Sequence, residues 1–402
     1  MRRALVGTTL GLLLTGWAAA PVAALEVPDG AREVRGSTTQ ADAPSLIPGE
    51  SVDEIAGGET KWYRLEPNPK LNLYLAVSMG RHPDGQFDGD KLEAQLRSTA
   101  DESCASDSDG IQYGESTRPL FANVSRVVDE EESGSCVDGD LLLGVTRTEK
   151  GDPAPQPLRI LYVAEPGLVE GAPTPSPAPT EPLPVLPDGE PERIEGGLDL
   201  VAAPRLESGV YADVLKPGET RYYRVPLGWG QRLAYEVRIN DVKPREAASA
   251  EVKTLVLGPL HGEVEVAADG KTSHYWDGEL VALRNGTPAV EWGNRTDDAL
   301  AEASLPGYYF IAVSLDKDAE KLAPNGVKTQ LKVRVVGEEH RGPRYQEVEG
   351  AGGVEAPRPG LRIAGVPARS FLGVAFLGVG AALTGGGVWQ LVRIRGRRVV
   401  AP

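Results

Sequence analysis

An internal duplication constrains the fold of this chain more than any other feature. Two segments 160 positions apart match without a gap: Gly58-Glu59-Thr60 aligns with Gly218-Glu219-Thr220, and KWYRL at 61–65 aligns with RYYRV at 221–225. The alternating apolar positions that follow are also shared: Leu73, Leu75, Val77 and Met79 in the first copy, and Leu233, Tyr235, Val237 and Ile239 in the second. Chance would hardly preserve both motif and alternation, so the chain contains two copies of one unit.

Each copy has the pattern of a β-rich domain. Apolar residues that alternate with other residues predict strands, and the Gly and Pro residues before each Gly-Glu-Thr predict turns. Further apolar segments at 139–145 and 159–163, and at 307–315 and 329–336, predict strands near the end of each copy. The fold class is therefore expected to be all-β, with two tandem antiparallel β-sandwiches of about 140 residues, each with its own core.

The N-terminal segment has the three parts of a secretory signal peptide. Arg2 and Arg3 precede an apolar run at 5–17, and small residues at 22–24 provide a cleavage site. Residues 1–24 are therefore expected to be removed. The alternative is an uncleaved anchor helix.

A second apolar segment, 371–392, is 22 residues long and uncharged, which is enough for a helix to cross a bilayer. Four arginines follow in the tail 393–402, so the tail is expected in the cytoplasm and the bulk of the chain outside the cell, as a type I single-pass protein of the cell membrane. The alternative is a buried helix of a soluble protein. Gly378, Ala382 and Gly386 recur every four residues, a pattern that favours a helix-packing face for a dimer or a partner helix, or reflects Gly/Ala bias alone.

Proline-rich segments divide the exported part. The expected organisation is sandwich 1 at 25–165, a linker at 166–198, sandwich 2 at 199–338 and a stalk at 339–370. The linker contains eight prolines between 173 and 191 and is predicted to be an extended, semi-rigid spacer.

Charge and cysteine content exclude several classes. The net charge of −16, which becomes more acidic once the arginines at both ends are set aside, argues against a nucleic-acid partner. Two cysteines are too few for a multi-cysteine zinc scaffold. In an exported chain Cys104 and Cys136 are expected to form a disulfide that closes a loop of about 33 residues and contributes roughly 3–4 kcal/mol. Two free thiols are the alternative.

The shared motif resembles a known family. A turn, Gly-Glu-Thr, an aromatic-basic run and an alternating strand are similar to the opening of bacterial pre-peptidase C-terminal domains. Gly307-Tyr308-Tyr309 is similar to their closing strand, and Gly139-Asp140-Leu141 matches it less well. The resemblance covers the framework strands of both halves. It implies jelly-roll-like sandwiches that accompany secreted enzymes or bind surfaces. The composition and plan also resemble envelope proteins of high-GC Gram-positive bacteria.

Residues suited to catalysis are scattered. The four histidines, His82, His261, His274 and His340, show no catalytic or zinc-binding spacing. A dyad assembled in space is the alternative to ordinary surface histidines. Tyr275 and Trp276 belong to an aromatic cluster that suits either a carbohydrate platform or strand packing.

Acidic loops raise the question of calcium. The candidate ligands are Asp84, Asp88, Asp90, Asp107 and Asp109. Spaced aspartates supply the oxygen ligands that calcium prefers, although the EF-hand pattern is incomplete. Solvated acidic loops are the alternative, and no other cofactor is expected.

These features predict a non-enzymatic envelope protein that presents two binding or adhesion-type sandwiches outside the cell. Its expected partners are the membrane and an unknown surface ligand or partner protein. Two alternatives stay open. One is an accessory subunit of a membrane secretion or transport complex, docked through its helix, and the other is an extracellular hydrolase with an unrecognised site.

Overall fold

The structure is a computed structural model. It describes residues 31–66, 68, 70–80, 89–111, 118–127, 135–148, 153–171, 174–179, 181–243, 248–265, 270–348 and 351, and the backbone of 362–363 and 366–367. The predicted signal peptide, transmembrane segment and cytoplasmic tail lie outside these residues, as does most of the predicted stalk. Within the described residues, no helix has the length and apolar character needed to cross a membrane.

The first copy folds into two sheets that share one core. Its elements are β1 (Arg32–Glu33), β2 (Ser45–Leu46), β3 (Gly49–Ile55), β4 (Thr60–Leu65), β5 (Leu71–Met79), β6 (Lys91–Ser98), β7 (Ser103–Gly110), β8 (Leu120–Arg126), a short helix α1 (Ser135–Asp138), β9 (Leu141–Thr148) and β10 (Gln156–Pro166). Sheet 1A has the order β1-β3-β10-β5-β8, and sheet 1B has the order β2-β4-β9-β6-β7. Apart from the parallel pairs β1-β3 and β2-β4, neighbouring strands are antiparallel.

The second copy repeats this arrangement. Its strands are β11 (Glu192–Arg193), β12 (Gly209–Leu215), β13 (Thr220–Leu227), β14 (Arg232–Ile239), β15 (Ala250–Leu257), β16 (Ser273–Trp276), β17 (Val281–Gly286), β18 (Gly307–Leu315) and β19 (Val327–Val336). Sheet 2A has the order β11-β12-β19-β14-β17, and sheet 2B has the order β13-β18-β15-β16. A parallel bridge between Arg205 and Arg224 takes the place of strand β2. The all-β prediction is confirmed, including the four strands expected near the ends of the copies.

Alternation along the strands builds each core. Leu73, Leu75 and Val77 of β5 and Leu143 and Val145 of β9 point into one buried cluster between sheets 1A and 1B. The equivalent cluster in sandwich 2 lies between sheets 2A and 2B. Apolar residues at every second position of a strand lie on one face of its sheet, and they are buried when the two sheets of a sandwich turn their apolar faces toward each other. Because the pattern is duplicated, it yields two separate cores.

The duplicated motif is organised by one carboxylate in each copy. Asp53 Oδ2 accepts hydrogen bonds from Gly36 N at 2.7 Å and Tyr63 Oη at 2.8 Å, and Lys61 lies 2.9 Å from Oδ1. A Cβ at Gly36 would lie 2.7 Å from Tyr63 Cζ, so only glycine allows the ring to approach the chain here. The same arrangement recurs 160 positions later in Gly196, Asp213 and Tyr223. The repeat therefore starts earlier than expected, within the segment assigned to the linker.

The proline-rich segment differs from the free spacer that its composition suggests. Ala178 N donates to Asn294 Oδ1 at 2.7 Å, and Leu186 is buried, so residues 174–179 and 181–188 pack along sandwich 2. Polyproline conformation leaves backbone carbonyls unpaired within the chain, and here arginines of sandwich 2 donate to several of them. The described part of the segment is therefore docked on sandwich 2.

Candidate functional site

The outer face of sheet 1A forms the first part of a junction between the sandwiches. Tyr74 of β5 and Val163 of β10 are buried against Leu305 of sandwich 2, with Leu161 and Leu260 packed beside them. These strands are apolar on both faces, and a strand of this kind needs cover on both sides. Both sandwiches belong to one compact unit.

Aromatic rings form a second contact across the junction. His261 lies between Phe121 of β8 and Phe310 of β18, with ring centroids 5.5 and 6.1 Å away. Burial, together with the nearby Arg159 guanidinium, lowers the pKa of His261 to about 3. The imidazole is therefore neutral at physiological pH and acts as a packing group. Its backbone is left-handed, with φ of 66°.

A buried carboxylate is the polar centre of the junction. Glu165 lies at the end of β10. Its carboxylate accepts hydrogen bonds from both terminal guanidinium nitrogens of Arg295, at 2.5 and 3.1 Å, and from Tyr345 Oη, at 2.7 Å. Tyr74 Oη and Asn72 Nδ2 lie 3.3 and 3.4 Å from Glu165 Oε2. We call these five residues the Glu165 node. A buried charge is tolerated when hydrogen-bond donors surround it. The donors to Glu165 come from both sandwiches and from the segment that follows sandwich 2.

Arg295 is held in place on its own side of the junction. Its Nε donates to Trp292 O at 2.9 Å and its Nη2 to Ser304 O at 3.2 Å, and its guanidinium stacks 4.3 Å from the Trp292 ring centroid. Burial and the Glu165 charge raise the pKa of the Tyr74 and Tyr345 hydroxyls above their usual range. Both tyrosines therefore stay protonated and donate to the carboxylate.

The chain that leaves sandwich 2 returns to the junction. Val169 N donates to Arg344 O and Gln346 N to Gly167 O, both at 2.9 Å. We call residues 167–169 and 344–346 the ribbon. Val348 then packs against the core of sandwich 1. The first part of the predicted stalk is thus a strap across both sandwiches.

A histidine ties the strap to sandwich 2. His340 Nε2 lies 3.0 Å from Glu291 Oε1, and this contact raises the pKa of the imidazole above its usual value.

The predicted disulfide is confirmed. Cys104 and Cys136 are bonded, and the bond joins the edge strand β7 to the short helix α1.

The acidic candidates for calcium have other partners where they are described. Asp90 pairs with the buried Arg147, with 3.2 Å between Oδ2 and Nη2. Asp109 accepts from both terminal nitrogens of Arg118, and Asp107 accepts from Asn123 N at 2.8 Å. Asp84 and Asp88 lie outside the described residues. The structure brings no three acidic, histidine or cysteine side chains into a metal-binding group among the residues it describes.

The aromatic candidates separate. Tyr275 is 72% exposed, whereas the neighbouring Trp276 is fully buried and donates from Nε1 to Glu279 O at 2.7 Å. Adjacent strand residues point to opposite faces, so the two rings do not form one platform. His274 is half-buried on the same strand, with Nδ1 3.0 Å from Lys271 Nζ. His82 and the helix-face residues Gly378, Ala382 and Gly386 lie outside the described residues.

Sequence reasoning did not identify the junction. Glu165 and Arg295 are 130 residues apart, and nothing in their local sequence links them. A signal was nevertheless present in β5 and β10, where Tyr74, Leu161 and Val163 interrupt the polar face expected of a half-exposed strand.

No family model matches this chain, and no curated protein matches it. Among solved structures, the PBSX exported protein XepA is similar at 8% identity and TM-score 0.20, covering 71% of this chain and 84% of its own. The CBM22-1–CBM22-2 tandem domain of Xyn10C from Paenibacillus barcinonensis is similar at 12% identity and TM-score 0.19, with coverage of 71% and 85%. The ANXUR2 extracellular domain from Arabidopsis thaliana is similar at 7% identity and TM-score 0.20, with coverage of 73% and 86%. At these TM-scores the likeness shows neither the family nor the function of the chain, and the pre-peptidase resemblance stays a prediction.

Proposed function

We propose that this chain is a non-enzymatic, single-pass envelope protein whose two sandwiches work together as one binding unit outside the cell. The observation that supports the proposal most directly is the Glu165 node. It joins sandwich 1, sandwich 2 and the strap with charge-assisted hydrogen bonds in a buried place. Such a junction keeps surfaces on both sandwiches in a fixed arrangement, which a partner spanning the two requires.

The chemistry of the junction also favours binding over catalysis. His261 is kept neutral between two aromatic rings, and Glu165 is occupied by Arg295 and two tyrosines. Both groups serve contacts within the protein. The disulfide suits an oxidising compartment, and the acidic exterior suits a soluble ectodomain.

The proposal is tested by proximity labelling in the native cell, with a labelling enzyme placed in the full-length chain either directly after residue 24, behind the predicted signal peptide, or at the C-terminus. We expect the N-terminal fusion to label envelope and extracellular proteins, and the C-terminal fusion to label cytoplasmic ones.

A variant that loosens the junction, Leu305→Asp, should label fewer envelope partners at equal abundance. Equal labelling by this variant would show that the fixed arrangement is not needed. Cytoplasmic labelling by both fusions would overturn the outward orientation. Labelling confined to the subunits of one membrane complex would instead favour the accessory-subunit role.

A further inference from the structure

The outer face of sheet 2A is the counterpart of the face that sandwich 1 uses at the junction, but its chemistry is different. In sheet 1A, Val163 lies opposite Tyr74 on neighbouring strands. In sheet 2A the equivalent pair is Arg334 opposite Ala234. An apolar docking position has thus become a basic one.

Cations dominate this face across three strands. Core residues of β14, β17 and β19 alternate with outward-facing ones, and the outward-facing cations, which we call the basic face, are Arg232, Arg238, Arg284, Lys328, Lys332 and Arg334. Glu236 is the carboxylate among them and lies beside Lys332 and Arg284. In a chain with a net charge of −16, this cluster creates a local field of opposite sign that attracts acidic segments.

Residues 181–188 of the linker (EPLPVLPD) lie across the basic face. Arg232 pairs with Glu181 at 2.8 Å, and Lys332 pairs with Asp188 at 2.5 Å. Between these ends, arginines donate hydrogen bonds to backbone carbonyls of the segment. Pro182 O accepts from Arg232, Pro184 O accepts from Arg284 and Val185 O accepts from Arg334. Guanidinium groups that donate to carbonyls of an extended chain recognise its conformation, whichever side chains it carries.

A small notch adds an apolar anchor. A Cβ at Gly286 would lie 2.6 Å from Leu183 Cδ2, so glycine leaves room there for the leucine side chain. Ala234, on the neighbouring strand, faces Gly286 across the same surface. The segment is partly open to solvent, since Val185 is 78% exposed and the Asp188 side chain is 87% exposed, whereas Leu186 is buried. A single extended segment held in this way can be exchanged for another of the same chemistry.

We propose that the basic face of sheet 2A is a recognition site for an extended, acidic, proline-containing segment of a partner polypeptide, and that residues 181–188 occupy it as a built-in competitor. The inference rests on the proposed function, because it assigns a class of partner to that binding unit. A tethered segment competes at high effective concentration, so the partner must displace it.

The test uses the purified full-length chain and a fluorescent peptide of sequence EPLPVLPD. In one variant, residues 181–188 are replaced by Gly and Ser at equal length. We expect this variant to bind the peptide at least about tenfold more tightly than the unmodified chain does, because the tethered competitor is gone. Lys332→Glu in the same background should abolish binding. Lys253→Glu, a matched charge reversal at an exposed position of sheet 2B, should leave binding unchanged.

A folded linker-replaced variant that fails to bind at about 1 mM peptide would overturn the proposal. So would binding of polyphosphate without binding of the peptide, since that would identify a general polyanion site. If the replacement prevents folding, a second variant provides the test. In this variant Val185→Cys is labelled with a fluorophore and the rest of the chain is unmodified. Excess peptide should then change the label's emission, and an unchanged emission would reject displacement. Because the peptide is tested on purified protein, a negative result here leaves the outward orientation and partner labelling in cells to be judged separately.

Discussion

At the scale of single residues, His261 shows how position decides the role of a titratable group. The sequence left it among four histidines of equal standing. In the structure it is fully enclosed at the junction, and its pKa falls to about 3 because burial penalises the charged ring. A group of this kind makes stability depend on pH instead of performing acid-base work.

The direction of this dependence follows from proton linkage. Between the unfolded pKa near 6.5 and the folded pKa of about 3, the unfolded chain binds the extra proton. The free energy of unfolding therefore falls as pH decreases through this window, by at most about 1.4 kcal/mol per pH unit. His261→Asn removes the titration and suits the left-handed backbone. We expect the free energy of unfolding of this variant, measured by urea denaturation, to change less between pH 6.5 and 4.5 than that of the unmodified chain. His274→Asn is the control, and equal pH dependence in all three proteins would contradict the account.

At the scale of elements, the sequence predicted strands well because alternation has one physical cause. Leu73, Leu75 and Val77 must lie on one face of an extended chain, and the structure places them in a core. The linker was less predictable, because a proline-rich segment is extended whether it is free or docked. Its docking depends on arginines of β14, β17 and β19 that lie 50 or more residues later in the sequence.

The disulfide is an element-scale constraint, since it attaches the edge strand β7 to helix α1 across a sequence separation of 32 residues. Replacing both Cys104 and Cys136 by Ala should lower the free energy of unfolding by roughly 3–4 kcal/mol, because the unfolded chain regains the entropy of the open loop. Chemical denaturation of the full-length chain measures this change. Adding reductant to the unmodified chain should reproduce it, and adding reductant to the double variant should have no effect. A double variant as stable as the unmodified chain would contradict the prediction.

At the scale of the whole molecule, the junction makes the two sandwiches depend on each other. The duplication predicted two independent cores, and the structure has them. What the duplication could not predict is that the copies diverge on their outer faces. Tyr74 and Val163 meet sandwich 2, whereas Arg334, the counterpart of Val163, meets the linker. Only contacts between distant parts of the chain distinguish these faces.

Breaking the Glu165 node should uncouple the sandwiches. Arg295→Ala leaves the 3%-exposed Glu165 carboxylate without its cation and should cost roughly 3–5 kcal/mol. In scanning calorimetry we expect one transition for the unmodified chain and two for this variant. The double variant Arg295→Met with Glu165→Leu should recover much of the loss, since no buried charge is then unpaired. Lys321→Ala, which breaks an exposed pair, should leave the melting profile unchanged. A single, unshifted transition for Arg295→Ala would rule out the coupling.

The ribbon has a mechanical consequence. Because Gly167 and Val169 pair with Gln346 and Arg344, the segments that enter and leave sandwich 2 are fastened to each other just beyond the end of β10 of sandwich 1. A pulling force applied to the chain beyond residue 351 reaches the ribbon before it reaches sandwich 2. The force then passes into β10 of sandwich 1, and sandwich 2 becomes a side branch outside the line of tension. A surface carried on that branch keeps its shape while the chain beyond residue 351 is pulled.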